Sequence, residues 1–254
     1  MKLNSVFFIE IKSSGNYPNA GDVNKMSVWE AAENGDLIAV KAAVGNLANI
    51  DEHDDYGYSA FHYACDQGYV LIADFLLHRK ADVNDLTEGK ERLMHGDINN
   101  RKYTLHLAAG KGHLDIVKLL LKSGVDVNCP TDEKDTPLHY SSFNGHLAVA
   151  KYLIVHGGDV GSRNIYGHTP LHHSCYGGQL AIVQYLVSAG SDINSKDYNS
   201  ITPLGAASSK PFHNLSIVKF LTENGCNMES TNEDGDTPVQ MAREYILISQ
   251  QIYY

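Results

Sequence analysis

Leu105-His106-Leu107-Ala108-Ala109, then Gly112-His113-Leu114, Ile116-Val117-Lys118-Leu119-Leu120-Leu121 and Gly124-Val125-Asp126-Val127-Asn128, is the stretch from which the rest of the chain can be read. Two short apolar runs are separated by a glycine and closed by another, the pattern of two helices broken between and ended after. The same order returns downstream. Thr136-Pro137-Leu138-His139, Thr169-Pro170-Leu171-His172 and Thr202-Pro203-Leu204 open comparable segments, and Thr237-Pro238-Val239 opens a shorter one. With the apolar third position as a ruler, the marks Val28, Phe61, Leu105, Leu138, Leu171, Leu204 and Val239 lie 33, 44, 33, 33, 33 and 35 residues apart. The exceptions are 33 with 11 or 2 added, so the chain reads as seven repeats carrying two insertions.

Local chemistry agrees with a turn followed by a helix pair. Thr ahead of Pro suits a helix start, because the hydroxyl can cap an orphan N–H and Pro at the first helical position gives up no useful donor. Small residues such as Ala108-Ala109, Ser141-Ser142 and Ser174-Cys175 allow the first helix to pack closely. Gly112, Gly145 and Gly178 break the chain between helices, and Ile182, Val183, Tyr185 and Leu186 give a second helix its buried stripe. Gly124, Gly158, Gly190 and Gly225 are expected to end the second helices in a left-handed conformation. No single unit buries both faces, so stacking makes the fold.

This register resembles the ankyrin repeat family from about Val23 to the C-terminus. The resemblance implies an all-α repeat solenoid of β-turn fingers and helix-turn-helix units in one elongated curved array. Residues 1–22 are expected to be a tail or short strand with a linker; residues 23–254 divide near 23–55, 56–99, 100–132, 133–165, 166–198, 199–233 and 234–254, the last a truncated cap. Some copies depart from the pattern. Tyr103-Thr104 replaces Thr-Pro, Lys80 and Leu47 stand where a helix-ending Gly is expected, the 11 extra residues fall between Asn84 and Tyr103 around 85–97, and the extra two fall within Ser208 to Ser216.

Composition narrows the function classes. At 254 residues, with 43% apolar and 20% charged residues, the chain should fold, and the repeats remove the need for one large core. Thirty acidic against 20 basic residues give a formal charge of -10, which repels phosphate backbones and anionic membranes. Nucleic acid and direct membrane binding are therefore not expected. The run Val6-Phe7-Phe8-Ile9 is too short for a signal peptide or a membrane span. Four scattered Cys fit a reducing compartment, cytoplasmic or nuclear.

Thirteen histidines invite a catalytic or metal reading. The resemblance implies that His62, His106, His139 and His172, at the fourth position of the mark, bond to the backbone of adjacent turns. His113 and His146 follow the inter-helix Gly, also as framework. His168, His172, His173 and Cys175 form the best metal candidate by spacing, but successive side chains on one helix diverge, and a structural role is expected instead. Cys65, Cys129, Cys175 and Cys226 read as substitutes for small buried residues. With no phosphate loop, GxSxG or HExxH, no enzyme, catalytic residue, metal or cofactor is expected.

A solenoid of this kind offers its fingers and first helices to proteins. The register places His53, Asp55, Tyr56, Tyr58, Asp66 and Gln67 on that face in repeat 2, and Asp132, Glu133, Asp135, Phe143 and Asn144 in repeat 4. Repeat 5 contributes Arg163, Ile165, Tyr166, His168 and Tyr176; repeat 6 Lys196, Tyr198, Asn199 and Ile201; repeat 7 Glu233, Asp234 and Asp236. Large groups gather in repeats 4 to 6 with acidic tips on both sides. That arrangement suits a protein with apolar anchors and a basic segment, bound by a monomeric scaffold or adaptor. The competing structural reading is that neighbouring fingers pack these tyrosines on one another. Lys90, Glu91, Arg92, Leu93 and Met94 of the inserted finger are a second candidate contact. The resemblance also makes Asn84, Asn128 and Asn194 candidates for hydroxylation, beside an ordinary role in bonding the turn. Alternative roles are a gankyrin-like proteasome-assembly chaperone or regulator, or the ankyrin segment of a larger enzyme or channel.

Overall fold

In a computed structural model, residues 26–45, 49–86, 103–209 and 211–243 are described. The expectations for the tail at 1–22, for Leu47, for Lys90 to Met94 and for Ile246 to Tyr254 lie outside them. Twelve helices form six pairs: α1 and α2 (Val28–Glu33, Leu37–Gly45), α3 and α4 (Ala60–Gln67, Val70–His78), α5 and α6 (Thr104–Lys111, Leu114–Lys122), α7 and α8 (Pro137–Asn144, Leu147–Val155), α9 and α10 (Pro170–Tyr176, Leu180–Ser188), α11 and α12 (Pro203–Ser208, Pro211–Glu223). A further helical segment covers 238–243. The only β pairing among the described residues is two isolated bridges, His53 with Ser59 and Leu86 with Tyr103. First helices stack on first helices and second on second, as the repeat register requires.

The ruler residues carry that stacking. Phe61, Leu105, Leu138, Leu171 and Leu204 are all buried, with Ile116, Leu120, Leu153, Ile182 and Leu186 of the second helices beside them. Ala108, Ala109, Ser141, Ser142, Ser174 and Cys175 are buried where first helices meet. Cys65 and Cys129 are buried and Cys226 half-buried, all as free thiols. Desolvation raises all four, Cys129 to about 12, so none is a thiolate nucleophile at neutral pH.

The expected hydroxyl cap is present at Ser27, Ser59, Thr169, Thr202 and Thr237, each accepting from the third helical N–H, and most helix starts add a reciprocal bond. The third helical residue reaches back to the backbone N–H of the cap: His62 Nδ1 accepts from Ser59, His106 Nδ1 from Tyr103, His139 Nδ1 from Thr136 and His172 Nδ1 from Thr169, at 3.1, 3.2, 3.1 and 3.2 Å. Glu30 serves Ser27, and Gln240 serves Thr237, in the same way. An Nδ1 that accepts leaves the proton on Nε2, and that N–H donates to a carbonyl of the next finger: Asp85, Asp135, His168 and Ile201. The expected role of these four histidines as ties between turns is therefore observed, with the cap as a second function.

Second-helix starts carry another tie. His113 donates to the Asp66 carbonyl, His146 to Gly110, Gln179 to Phe143 and Asn214 to Cys175, each reaching back one repeat. Each lies over a left-handed glycine; a Cβ on Gly112 would sit 2.4 Å from His146 Nδ1, so only glycine leaves room there.

Three expectations need correction. Gly157, not Gly158, takes the left-handed position after α8, because the helix ends at Val155 and His156 is its cap, in register with Ser123 and Gly124. The two-residue insertion of repeat 6, expected between its helices, becomes helix in α12, which has 13 residues against nine in α10, the other two coming from a shorter α11 and a shorter connector. Asp135, assigned to the exposed face, is buried at 6% exposure, for reasons given below. Lys80 holds the left-handed conformation (φ 68°) of the glycine it replaces.

Candidate interaction face

Each finger is shaped by a polar residue that folds its side chain over the turn. Asp54 Oδ1 accepts from the N–H groups of Tyr56 and Tyr58, Asn164 Oδ1 from Tyr166 and His168, and Asp197 Oδ1 from Asn199 and Ile201. Thr131 Oγ1 and Asn232 Oδ1 bond Asp135 and Asp236 likewise. Three residues on from the turn-former, φ is positive at Gly57, Lys134, Gly167, Ser200 and Gly235. Backbone bonds then join finger to finger: Ile165 N–H to Glu133 O, Tyr198 N–H to Tyr166 O and Glu233 N–H to Asn199 O, at 2.9, 3.0 and 3.1 Å. The tips of repeats 4 to 7 thus form one connected row.

Side chains join that row to the first helices. Tyr176 of α9 meets His168 edge-on at 5.2 Å, and Phe143 of α7 meets His173 of α9 at 6.2 Å. The Arg163 guanidinium lies 5.3 Å from the Tyr198 ring centre and donates to the Lys196 carbonyl. Behind this layer is a polar network. Asp135 is buried because its carboxylate takes Asn164 Nδ2 at 3.0 Å and faces His173 Nε2 at 3.6 Å, while Asp197 takes His168 Nε2 at 3.1 Å. These contacts span neighbouring repeats, so Asp135 is a lining residue of the stack and not a contact residue of the face.

The remaining assignments divide by exposure. Tyr56, Phe143, Ile165, Tyr166 and Tyr198 are exposed large apolar groups, Tyr166 at 49% and Tyr198 at 62%. Asp132, Arg163, Lys196 and Asp234 are exposed as well, with Asp55, Gln67, Asn144, Asn199 and Glu233. Tyr58, His53, Asp66, Glu133, His168, Tyr176, Ile201 and Asp236 are half-buried. Tyr58 packs on Tyr63 and His62, and Ile201 closes over Gly205. Tyr166 hydroxyl donates to Glu133 Oε1 at 3.5 Å. The inter-finger packing of these tyrosines thus runs through Arg163 and Glu133 and leaves their rings open to solvent. Thr136, Pro137, Thr169, Pro170, Thr202, Pro203 and Pro238 are buried and Thr237 is half-buried at helix starts, as framework marks.

Desolvation holds His139 and His172 down at about 4 and His173 well below the ordinary 6.5, with His139 and His168 charges adding to the last; His168 is lowered by burial against the raising pull of Asp197. The imidazoles behind the face are therefore neutral at neutral pH, and Tyr176 is raised by burial to about 12. His168, His172, His173 and Cys175 do not gather their ligand atoms on one point: among the described residues the group that does is His53, His62 and Asp85. Sequence spacing could not show that trio, since His53 and Asp85 are 32 residues apart. Asn128 and Asn194 bond the backbone of the next repeat, to Gly157 and Asp159 and to Asn227, in the ordinary turn role expected of them. Asn84 is exposed and its N–H meets Asp82.

Comparison with known proteins places this geometry. The family described as ankyrin repeats (3 copies) matches residues 7–87, 89–164, 105–197 and 153–232. Putative ankyrin repeat protein FPV014 of fowlpox virus is 33% identical over 118 residues, covering 46% of this chain and 24% of that protein. Human ankyrin repeat and SOCS box protein 3 is 30% identical over 112 residues, 44% of this chain and 20% of that one. Mouse inversin is 35% identical over 116 residues, 45% and 10%. The matched part is thus about a quarter or less of each of these relatives. The crystal structure of the human ASB11 ankyrin repeat domain superposes with a TM-score of 0.74 at 23% identity, covering 88% of this chain and 97% of that one.

Proposed function

The chain belongs to the ankyrin repeat family, and from that premise we propose that it is a non-enzymatic scaffold or adaptor holding a protein partner against its fingers and first helices. The observation that carries this reading is the row of exposed large side chains Phe143, Ile165, Tyr166 and Tyr198, supported on a hydrogen-bonded finger ladder, whereas the exposed Ile38, Leu71, Val155 and Leu215 are spread over four different second helices. Rigid aromatic groups held by a preformed backbone lose little entropy on binding. Asp132 on one side and Glu233 and Asp234 on the other favour a partner whose basic residues flank apolar anchors. The overall charge of -10 favours a protein over a nucleic acid or an anionic membrane. No helix among the described residues is long and apolar enough to cross a membrane. We place the protein, as a monomer, in the cytoplasm or nucleus.

Affinity capture from the native cell with the wild-type chain and with a Tyr166→Ala, Tyr198→Ala double variant tests the reading. The double variant should lose the captured protein and shift its urea midpoint only slightly, because the two residues are 49% and 62% exposed and their contacts lie at the surface. Undiminished capture by the double variant refutes this face as the binding surface.

A further inference from the structure

The second finger differs from its counterparts in one respect. At His139 and His172 the ring nitrogens meet a threonine cap and the carbonyl of the next finger. At His62 the corresponding partners are Ser59 and the Asp85 carbonyl, and a carboxylate joins them. Asp85, where the 11-residue insertion starts, places Oδ2 3.5 Å from His62 Nδ1 and 2.9 Å from His53 Nε2. One ligand atom from each of the three residues lies within 4.8 Å of the others. Asp85 Oδ2 is shut off from solvent yet takes no well-aligned hydrogen bond, His53 donating instead toward Oδ1 at 3.1 Å.

We propose that His53, His62 and Asp85 form a zinc site that clips the start of the inserted segment to the second finger. Two imidazoles and a carboxylate are a donor set zinc favours, and tetrahedral zinc with bonds of about 2.0–2.2 Å sets neighbouring ligand atoms roughly 3.3 Å apart. The Asp85 Oδ2 separations of 2.9 Å from His53 Nε2 and 3.5 Å from His62 Nδ1 bracket that edge. The outer contact a ligating imidazole requires is already in place, since His62 Nε2–H donates to the Asp85 carbonyl at 3.2 Å. The ion takes the Nδ1 lone pair that Ser59 N–H at 3.1 Å and Ser59 Oγ–H at 2.8 Å now share, exchanging two cap bonds for a metal bond. The fourth ligand of this site is a solvent molecule entering beside His53, whose side chain is 29% exposed, the most open of the three. The competing arrangement is a plain tie between fingers, of the kind Arg163 makes with the Lys196 carbonyl.

Calorimetric titration with Zn2+ of the full chain, stripped with a chelator, separates the two. Wild type should take up one equivalent at micromolar zinc, and His53→Gln and Asp85→Asn should each weaken that uptake by at least about tenfold, ligand loss being no milder than the loss of an outer partner. Both substitutions keep a hydrogen-bonding group, so circular dichroism should be unchanged. Co2+ should give the intense visible absorption of a tetrahedral site in wild type and lose it in both variants, and His168→Gln, at the other histidine cluster, should leave it intact. Wild type that binds no zinc at micromolar concentration, or variants that bind it as wild type does, would overturn the assignment.

Discussion

Acid should destabilise this protein well above the pH at which its carboxylates titrate, because His139 and His172 are held neutral at about 4 by burial against an ordinary 6.5. A folded value below the unfolded one means that the unfolded chain binds more protons in the interval between them. The stability these residues contribute is complete above 6.5, is lost progressively as pH falls, and is gone near 4. Burial is the main cause, and geometry works in the same direction: Nδ1 of each ring accepts a cap N–H, so a second proton there would face another donor. Between pH 7.5 and 5.5 each residue should cost about 1.3 kcal/mol, the pair about 2.7, against total stabilities of roughly 5–15. His173, lowered in the same direction, adds to the loss. Urea unfolding followed by far-UV circular dichroism at pH 7.5, 6.5 and 5.5 reads the slope. His139→Gln removes one titrating ring and keeps a cap that Gln240 already makes in this chain, so its slope should be shallower by about 1.3 kcal/mol over the window. A wild type whose stability is flat to pH 5.5, or a His139→Gln variant with the full slope, would refute the reasoning.

Other outcomes follow from backbone and packing. A Cβ at Gly177 would lie 2.1 Å from the Phe143 carbonyl oxygen, backbone that cannot move aside, so Gly177→Ala should lower the urea-derived stability by about 1–3 kcal/mol or more. Lys134 and Ser200 sit at φ 62° and 61° where Gly57, Gly167 and Gly235 serve the other fingers; glycine at either should raise stability by about 0.5–1 kcal/mol, and a loss would contradict the strain argument. Leu138→Ala removes a ruler side chain that is 1% exposed and should cost about 2–5 kcal/mol by the same measurement. His146→Ala frees the Gly110 carbonyl that α8 now caps and should cost about 1–3 kcal/mol, with hydrogen exchange at the α5–α6 turn rising first.

Most of the array was legible because its signals are local and repeated. Thr-Pro at a helix start, small residues at the helix contact and a glycine after each helix act within a few residues, and the 33-residue spacing adds them up. The failures have one character. Asp135 reads as an exposed tip because its finger neighbours Asp132 and Glu133 are acidic; its burial depends on Asn164 and His173, which reach it from the next repeat. The misassignment of Gly158 followed from a Gly157-Gly158 pair that offers two left-handed candidates, and the length of α8 chose between them. The structural role expected of His168, His172, His173 and Cys175 agrees with ligand atoms that do not converge, and the atoms that do converge come from three separate segments that spacing could not join.

The sequence by itself determined the fold, the 33-residue register and the four histidines at the fourth position of the mark that tie one turn to the next. Those depend on short-range backbone chemistry written into every copy. Tertiary structure decided which polar groups on the fingers are partners of each other and which face solvent. The cause is that such pairs join positions about one repeat apart, as Asp135 and Asn164 do at 29 residues or His53 and Asp85 at 32. Only stacking brings them within bonding distance.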